Sequence, residues 1–143
     1  MDTLIETKQF LHVGCGPQSK NMLKGFDADE WTEIRLDIDP NVNPDIVGSL
    51  TDMSAVDSES MDALYSSHNI EHLFAHEVPL ALAEFHRVLR TDGFLLLRCP
   101  DIQTVCEAIS QDRLLEPLYQ SPSGPISPID ILYGHRRFIA EGN

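Results

Sequence analysis

At 143 residues, 42% of them hydrophobic and 23% charged, the chain has the size and composition of a single globular domain with one core. It contains no apolar run near the 18 or so residues that a membrane span requires. Ten basic residues against 23 acidic ones give a formal charge of −13, a surface that repels phosphate backbones, and the one basic cluster is His135-Arg136-Arg137; neither nucleic acid nor a membrane is an expected partner. The opening MDTLIETKQF lacks the basic, apolar, small-residue order of a secretory signal. Cys15, Cys99 and Cys106 form neither an even framework nor a C-x-x-C pair, so a reducing cytoplasm is the expected setting.

In chain order, FLHVG (residues 10–14) is a short apolar run closed by glycine and reads as a first strand. EIRLD (33–37) alternates Ile34 and Leu36 with polar neighbours and reads as a second. Asp45-Ile46-Val47, fenced by Pro44 and Gly48, gives a third, MDALYSS from Met61 a fourth, and FLLLRC from Phe94 a fifth. The continuous apolar run of the fifth fits a central strand buried on both faces. Between the fourth and fifth, Val78, Leu82, Phe85 and Leu89 recur at helical spacing, with Ala81 and Val88 widening the stripe. Pro79 suits the first turn of that helix, and Thr91-Asp92-Gly93 supplies its stop. Strand, helix and strand in this order make a βαβ unit, so the expected fold is α/β with a mainly parallel sheet of about five strands. A second helix is expected from about Ile102 to Ser110. Residues 116–143, with Pro117, Pro122, Pro125 and Pro128, read as a loop and tail of the same domain, 1–143.

Gly14 and Gly16 stand just past the first strand, where glycines let the backbone turn tightly and approach a ligand. The third position of a G-x-G-x-x-G pattern is Ser19, and Pro17 removes an N–H, so a pyrophosphate-binding fingerprint is broken. Asp37, 21 residues beyond Gly16 at the end of the second strand, is placed to accept hydrogen bonds from ribose hydroxyls. A ligand with a ribose and no pyrophosphate is the natural inference.

His68, Glu71 and His72 spell H-x-x-E-H, the inverted zinc-protease signature. On a continuous helix His68, His72 and His76 would share a face and could supply zinc nitrogens, with Glu71 as base. But His68 follows directly on the fourth strand and apolar periodicity starts only near Val78. Residues 67–75 therefore read as a strand-to-helix connection, and no metal is assigned. A zinc-dependent hydrolase through His68, Glu71 and His72 stays as an alternative.

LHVGCG, RLDIDP, MDALYSSHNIEHL and EFHRVLRTDGFLLLRCPD, in that order over residues 10–101, resemble the successive motifs of class I S-adenosylmethionine-dependent methyltransferases, most closely a small bacterial group. The resemblance implies a Rossmann-like three-layer sandwich, S-adenosylmethionine as cofactor, and methyl transfer as the reaction. By position, Gly14, Cys15 and Gly16 would form the turn beside the methionine and ribose, Asp37 would bind the ribose hydroxyls, and Ile38 would pack on the adenine. Ser49 and Leu50 would meet the adenine edge; many members carry an acid at Ser49, and Asp52 stands nearby. His12 occupies a position where members often carry an acid that helps hold the methionine amine. A histidine accepts a hydrogen bond there only when neutral, so weaker cofactor binding is expected below pH ~6.5.

His68 falls at the cofactor's reactive end, both as a cofactor contact and as the candidate base, with Asn69 and His72 as orienting partners. Tyr133, His135 and Arg136 are candidates to line an acceptor pocket. The acceptor is expected to be a small molecule, a glycan or a lipid. The family's sheet normally ends in an antiparallel strand pair for which this chain has few residues. An exposed edge at the fifth strand could then pair two copies into a homodimer. A methyltransferase-like domain that binds without turnover is the alternative from a different functional class.

Overall fold

The computed structural model describes residues 7–134, which divide into two compact units at Cys99/Pro100. The first unit is built on β1 (Lys8–Val13), β2 (Trp31–Asp37), β3 (Ile46–Val47), β4 (Met61–Ser67) and β5 (Leu89–Arg98), all parallel and ordered β3-β2-β1-β4-β5. Helix α1 (Val78–Val88) makes the crossover from β4 to β5. The other crossovers are short: residues 14–30 hold only the 3-10 turn Lys20–Met22, and the link from β2 to β3 only the turn Pro40–Val42.

Because strand side chains alternate, each inner strand feeds two cores. Leu11, Val13, Leu36 and Leu64 meet Ala81, Phe85 and Val88 of α1 on one face. Phe10, Ala63, Tyr65 and Trp31 meet Leu23 and Phe26 of the β1–β2 crossover on the other, with the Phe10 and Phe26 rings stacked 4.2 Å apart. Full burial of each large apolar side chain stabilises by about 1.5–3 kcal/mol, which lets an irregular crossover stand in for a helix.

The helical stripe is narrower than its spacing suggests. Ala81, Phe85 and Val88 are buried, Leu82 is 41% exposed, and Leu89 leaves the helix to pair with Met61. The Thr91-Asp92-Gly93 stop lies within β5, where the register with β4 slips between Leu89 and Phe94. The expectation of a central, doubly buried fifth strand is overturned. β5 pairs only with β4 among the described residues, and Phe94, Leu95 and Leu96 are 37–49% exposed. An apolar run reports side-chain hydrophobicity, and the number of ladder neighbours is a separate matter.

The second unit opens with α2 (Ile102–Ser110), capped by Asp101, which accepts from the Gln103 N–H (3.1 Å) and the Thr104 hydroxyl (2.8 Å). The proline-rich stretch holds more than a loop: a hairpin of β6 (Tyr119–Ser121) and β7 (Gly124–Ile126), then α3 (Pro128–Tyr133). Asp130 reaches back to accept from Ser127 N–H at 2.9 Å, and Pro128 fills the first turn. This hairpin is the sole antiparallel strand pair among the described residues, and it forms a sheet of its own. No helix among them is long and apolar enough to cross a membrane.

Candidate active site

The strand order reverses between β1 and β4, and in open parallel sheets the crevice beyond the carboxyl ends at such a point takes the ligand. Here β1 ends in Gly14-Cys15-Gly16, with both glycines left-handed (φ +58° and +52°). Gly14 has a steric reason to lack a side chain. A Cβ there would fall 2.1 Å from Asn69 Oδ1, whereas nothing lies within 4 Å of the corresponding position on Gly16. The Asn69 amide crosses from the end of β4 to donate to the Val13 carbonyl (2.9 Å) and the Ser66 hydroxyl (3.2 Å). It thus ties the two strands at the switch point.

Asp37 closes the other side. Its Oδ2 accepts from the Gly16 N–H at 2.8 Å and its Oδ1 from Asp39 N–H at 2.9 Å, so the glycine turn and the acid paired by sequence spacing do meet. Two further β2 residues, not singled out by sequence reasoning, complete the arrangement. Glu33 takes the His12 Nδ1 contact at 2.7 Å through one oxygen and the Lys20 N–H at 2.8 Å through the other. Arg35 donates to the carbonyls of Gly16 (2.6 Å), Gln18 (3.0 Å), Val42 (3.2 Å) and Asn43 (2.8 Å).

His12 itself is buried, 2% exposed, with its ring edge-on to Tyr65 at 5.2 Å. Burial pushes its pKa below the ordinary histidine value, against the pull of Glu33. Any effect of its protonation on a ligand therefore falls at lower pH than an unperturbed ring would give. Cys15 is also buried, which pushes its thiol pKa up and leaves it a packing residue in the turn.

His68 follows β4 in a left-handed conformation (φ +57°), uncommon for a side-chain-bearing residue and a feature of functional sites. Its N–H donates to Arg98 O (2.9 Å), which links the ends of β4 and β5, and its Nδ1 lies 3.3 Å from Glu71 Oε1. Glu71 is thus a side chain brought to this ring, while His72 is exposed at the end of the 3-10 turn Ile70–His72. His76 lies before α1, its ring stacked on Phe74 at 5.8 Å. The three histidines therefore share no helix, and no group of three metal-ligating side chains occurs among the described residues.

Ile38 exposes 71% of its surface beside Asp37. The Ser49 hydroxyl lies 3.0 Å from that of Thr51, Asp52 pairs with Ser49 across a small bridge, and Leu50 packs against the α1-side core. Tyr133 belongs to the second unit and is 73% exposed; His135 and Arg136 lie outside the described residues.

A parallel sheet of order 3-2-1-4-5 with a glycine turn faced by an acid at its switch point defines a Rossmann-like α/β domain. More narrowly, the chain belongs to the methyltransferase domain family, whose sequence model matches residues 11–97. Among solved structures, its fold is similar to that of the PH0226 protein from Pyrococcus horikoshii OT3. The TM-score is 0.58 at 16% identity, over 78% of this chain and 54% of that one. It is similar as well to a SAM-dependent methyltransferase from Archaeoglobus fulgidus, with TM-score 0.58 and 16% identity over 94% of this chain and 59% of that one. The chain thus spans a little over half the length of these structures. No curated protein sequence matches it.

Proposed function

We propose that this chain binds S-adenosylmethionine at the switch point and takes part in transferring its methyl group to a small-molecule, glycan or lipid acceptor. The observation that carries the reading is the Gly16–Asp37 pair: an open left-handed glycine held 2.8 Å from a strand-end carboxylate. The residues fit the cofactor. Asp37 uses its two oxygens on two N–H groups, and a carboxylate offers about four lone-pair sites, so acceptor capacity remains for two ribose hydroxyls. The exposed Ile38 offers an apolar surface to an adenine ring. The Archaeoglobus structure with the same fold is described as SAM-dependent, which supports the assignment.

The cofactor, when bound, supplies an electrophilic methyl group on a sulfonium. The chain's own task is to hold the reactants aligned and, for a protonated acceptor, to remove a proton. His68 is the residue for that step. Glu71 Oε1, 3.3 Å from its Nδ1, orients the ring, and Nε2 is the nitrogen assigned to take the proton. The charge of −13 supports an acceptor other than nucleic acid, and three free thiols, two of them exposed, support a reducing, cytoplasmic setting.

Calorimetric titration with S-adenosylhomocysteine tests the reading. Wild-type protein should bind with micromolar affinity, Asp37→Ala should weaken binding at least tenfold, and Asp37→Asn, which keeps an acceptor oxygen, should lie between. A wild-type chain that fails to bind, or an Asp37→Ala chain that binds equally well, would overturn it.

A further inference from the structure

We infer that Arg35 is the positioning residue that sets the gap between the glycine turn and the loop after β2, and through that gap the affinity for the cofactor. The inference rests on the S-adenosylmethionine reading above. Arg35 sits on β2 opposite His12 of β1, and strand alternation places it on the same face as Glu33 and Asp37.

Its guanidinium spends its donors on backbone carbonyls alone. Nε donates to Gln18 O and Nη2 to Gly16 O, both in the loop after β1; Nη1 donates to Asn43 O and Nη2 again to Val42 O, both after β2. One planar group thus bridges the two loops that flank the ligand crevice on the β2 side. The bridge has little competition from regular structure, because both crossovers hold only a three-residue 3-10 turn and no α-helix fixes their spacing.

Two details tie Arg35 to the site as well as to general stability. Gly16 is held through both of its backbone groups, its N–H by Asp37 and its carbonyl by Arg35, so the two peptide units on either side of its Cα are oriented in the turn that faces the crevice. Asn43, whose carbonyl takes Nη1, is left-handed (φ 58°), and Asp45 on the same loop accepts from the Arg35 N–H at 2.8 Å. Side chain and backbone of Arg35 therefore both engage the loop after β2. A ligand that must fit between two loops binds more tightly when their ordering has already been accomplished in the free protein. Lysine cannot reproduce this, since an ammonium is a single point and lacks the rigid fork that reaches four carbonyls at once.

The test combines hydrogen exchange with titration of S-adenosylhomocysteine on the full chain and its Arg35→Lys and Arg35→Met variants. Faster amide exchange is expected in both variants over residues 16–20 and 40–43, with the β1 and β4 amides unchanged. Affinity should fall at least tenfold, and saturating ligand should restore the lost protection. Should Arg35→Met fail to fold, Arg35→Lys, which keeps the charge and the aliphatic stem, carries both measurements. Affinity that stays at the wild-type level while the loops exchange faster would show that Arg35 is only a fold staple. Protection lost throughout the sheet, with affinity falling only by the unfolded fraction, would show the same. Failure of the cofactor reading is distinct, because then the wild-type titration is blank too.

Discussion

Replacing Gly14 by alanine tests the packing at the switch point directly. A left-handed alanine costs about 1–2 kcal/mol by itself. At φ +58° the new Cβ would also lie 2.1, 2.4 and 2.6 Å from Asn69 Oδ1, Cγ and Nδ2, all under the 3.0 Å at which something must shift. The Asn69 amide has to swing away, which removes its bonds to the Val13 carbonyl and the buried Ser66 hydroxyl, worth about 1 kcal/mol each. The expected loss for Gly14→Ala is therefore about 3–4 kcal/mol. Gly16→Ala is the internal control: its φ of +52° carries the same backbone cost, but its Cβ would enter open space, so about 1–2 kcal/mol is expected.

Urea unfolding of both variants reads the difference, and on a chain of this size each kcal/mol moves the thermal midpoint by roughly 2–4 °C. In an Asn69→Ala background the clash is gone, so Gly14→Ala should then cost no more than Gly16→Ala, a coupling of about 2 kcal/mol. Equal losses for the two glycines in the wild-type background, or no coupling to Asn69, would refute the reasoning.

Two further expectations follow from the site's histidines. Burial holds the folded pKa of His12 below the ~6.5 it regains on unfolding, so the unfolded chain protonates first as pH falls. Stability should be full above about 6.5 and should decline from there towards the folded value, and His12→Gln should flatten that slope in urea midpoints measured between pH 7.5 and 5; an unchanged slope would exclude His12 as its source. Once an acceptor is known, His68→Gln should lower kcat by about 10²–10⁴, with S-adenosylhomocysteine affinity held within a few-fold. Glu71→Gln should have a smaller effect in the same direction, and a wild-type rate in His68→Gln would remove the base from the mechanism.

What the sequence made legible was the set of features written in local period and spacing. The strands at Phe10, Ile34, Ile46, Met61 and Phe94 and the helix at Ile102–Ser110 could be read from apolar pattern and punctuation. The pairing of Gly16 with Asp37 could be read from 21 residues of separation, because a strand-turn-strand path of that length in a parallel sheet returns the acid beside the glycine. Glu33 and Arg35 were hidden by the same alternation that revealed β2. In EIRLD the polar residues read as a solvent-facing row, yet in this sheet the loop after β1 folds over that row and offers it carbonyls and N–H groups instead of water.

The burial of polar residues on a parallel strand is thus decided by the crossover that covers them, and residues 17–30, poor in periodic signal, give no warning that they will do so. Glu71 was missed as a partner of His68 for a related reason. H-x-x-E-H read as a helical motif directs attention to the i, i+4 histidines. The 3-10 turn that actually forms there begins only at Ile70, His68 stands before it in a left-handed conformation, and from there the carboxylate three residues on meets the ring. Short, irregular crossovers carry this site's chemistry, so the side chains that shape it belong to contacts between segments, and only the register of β1 against β2 brings them into view.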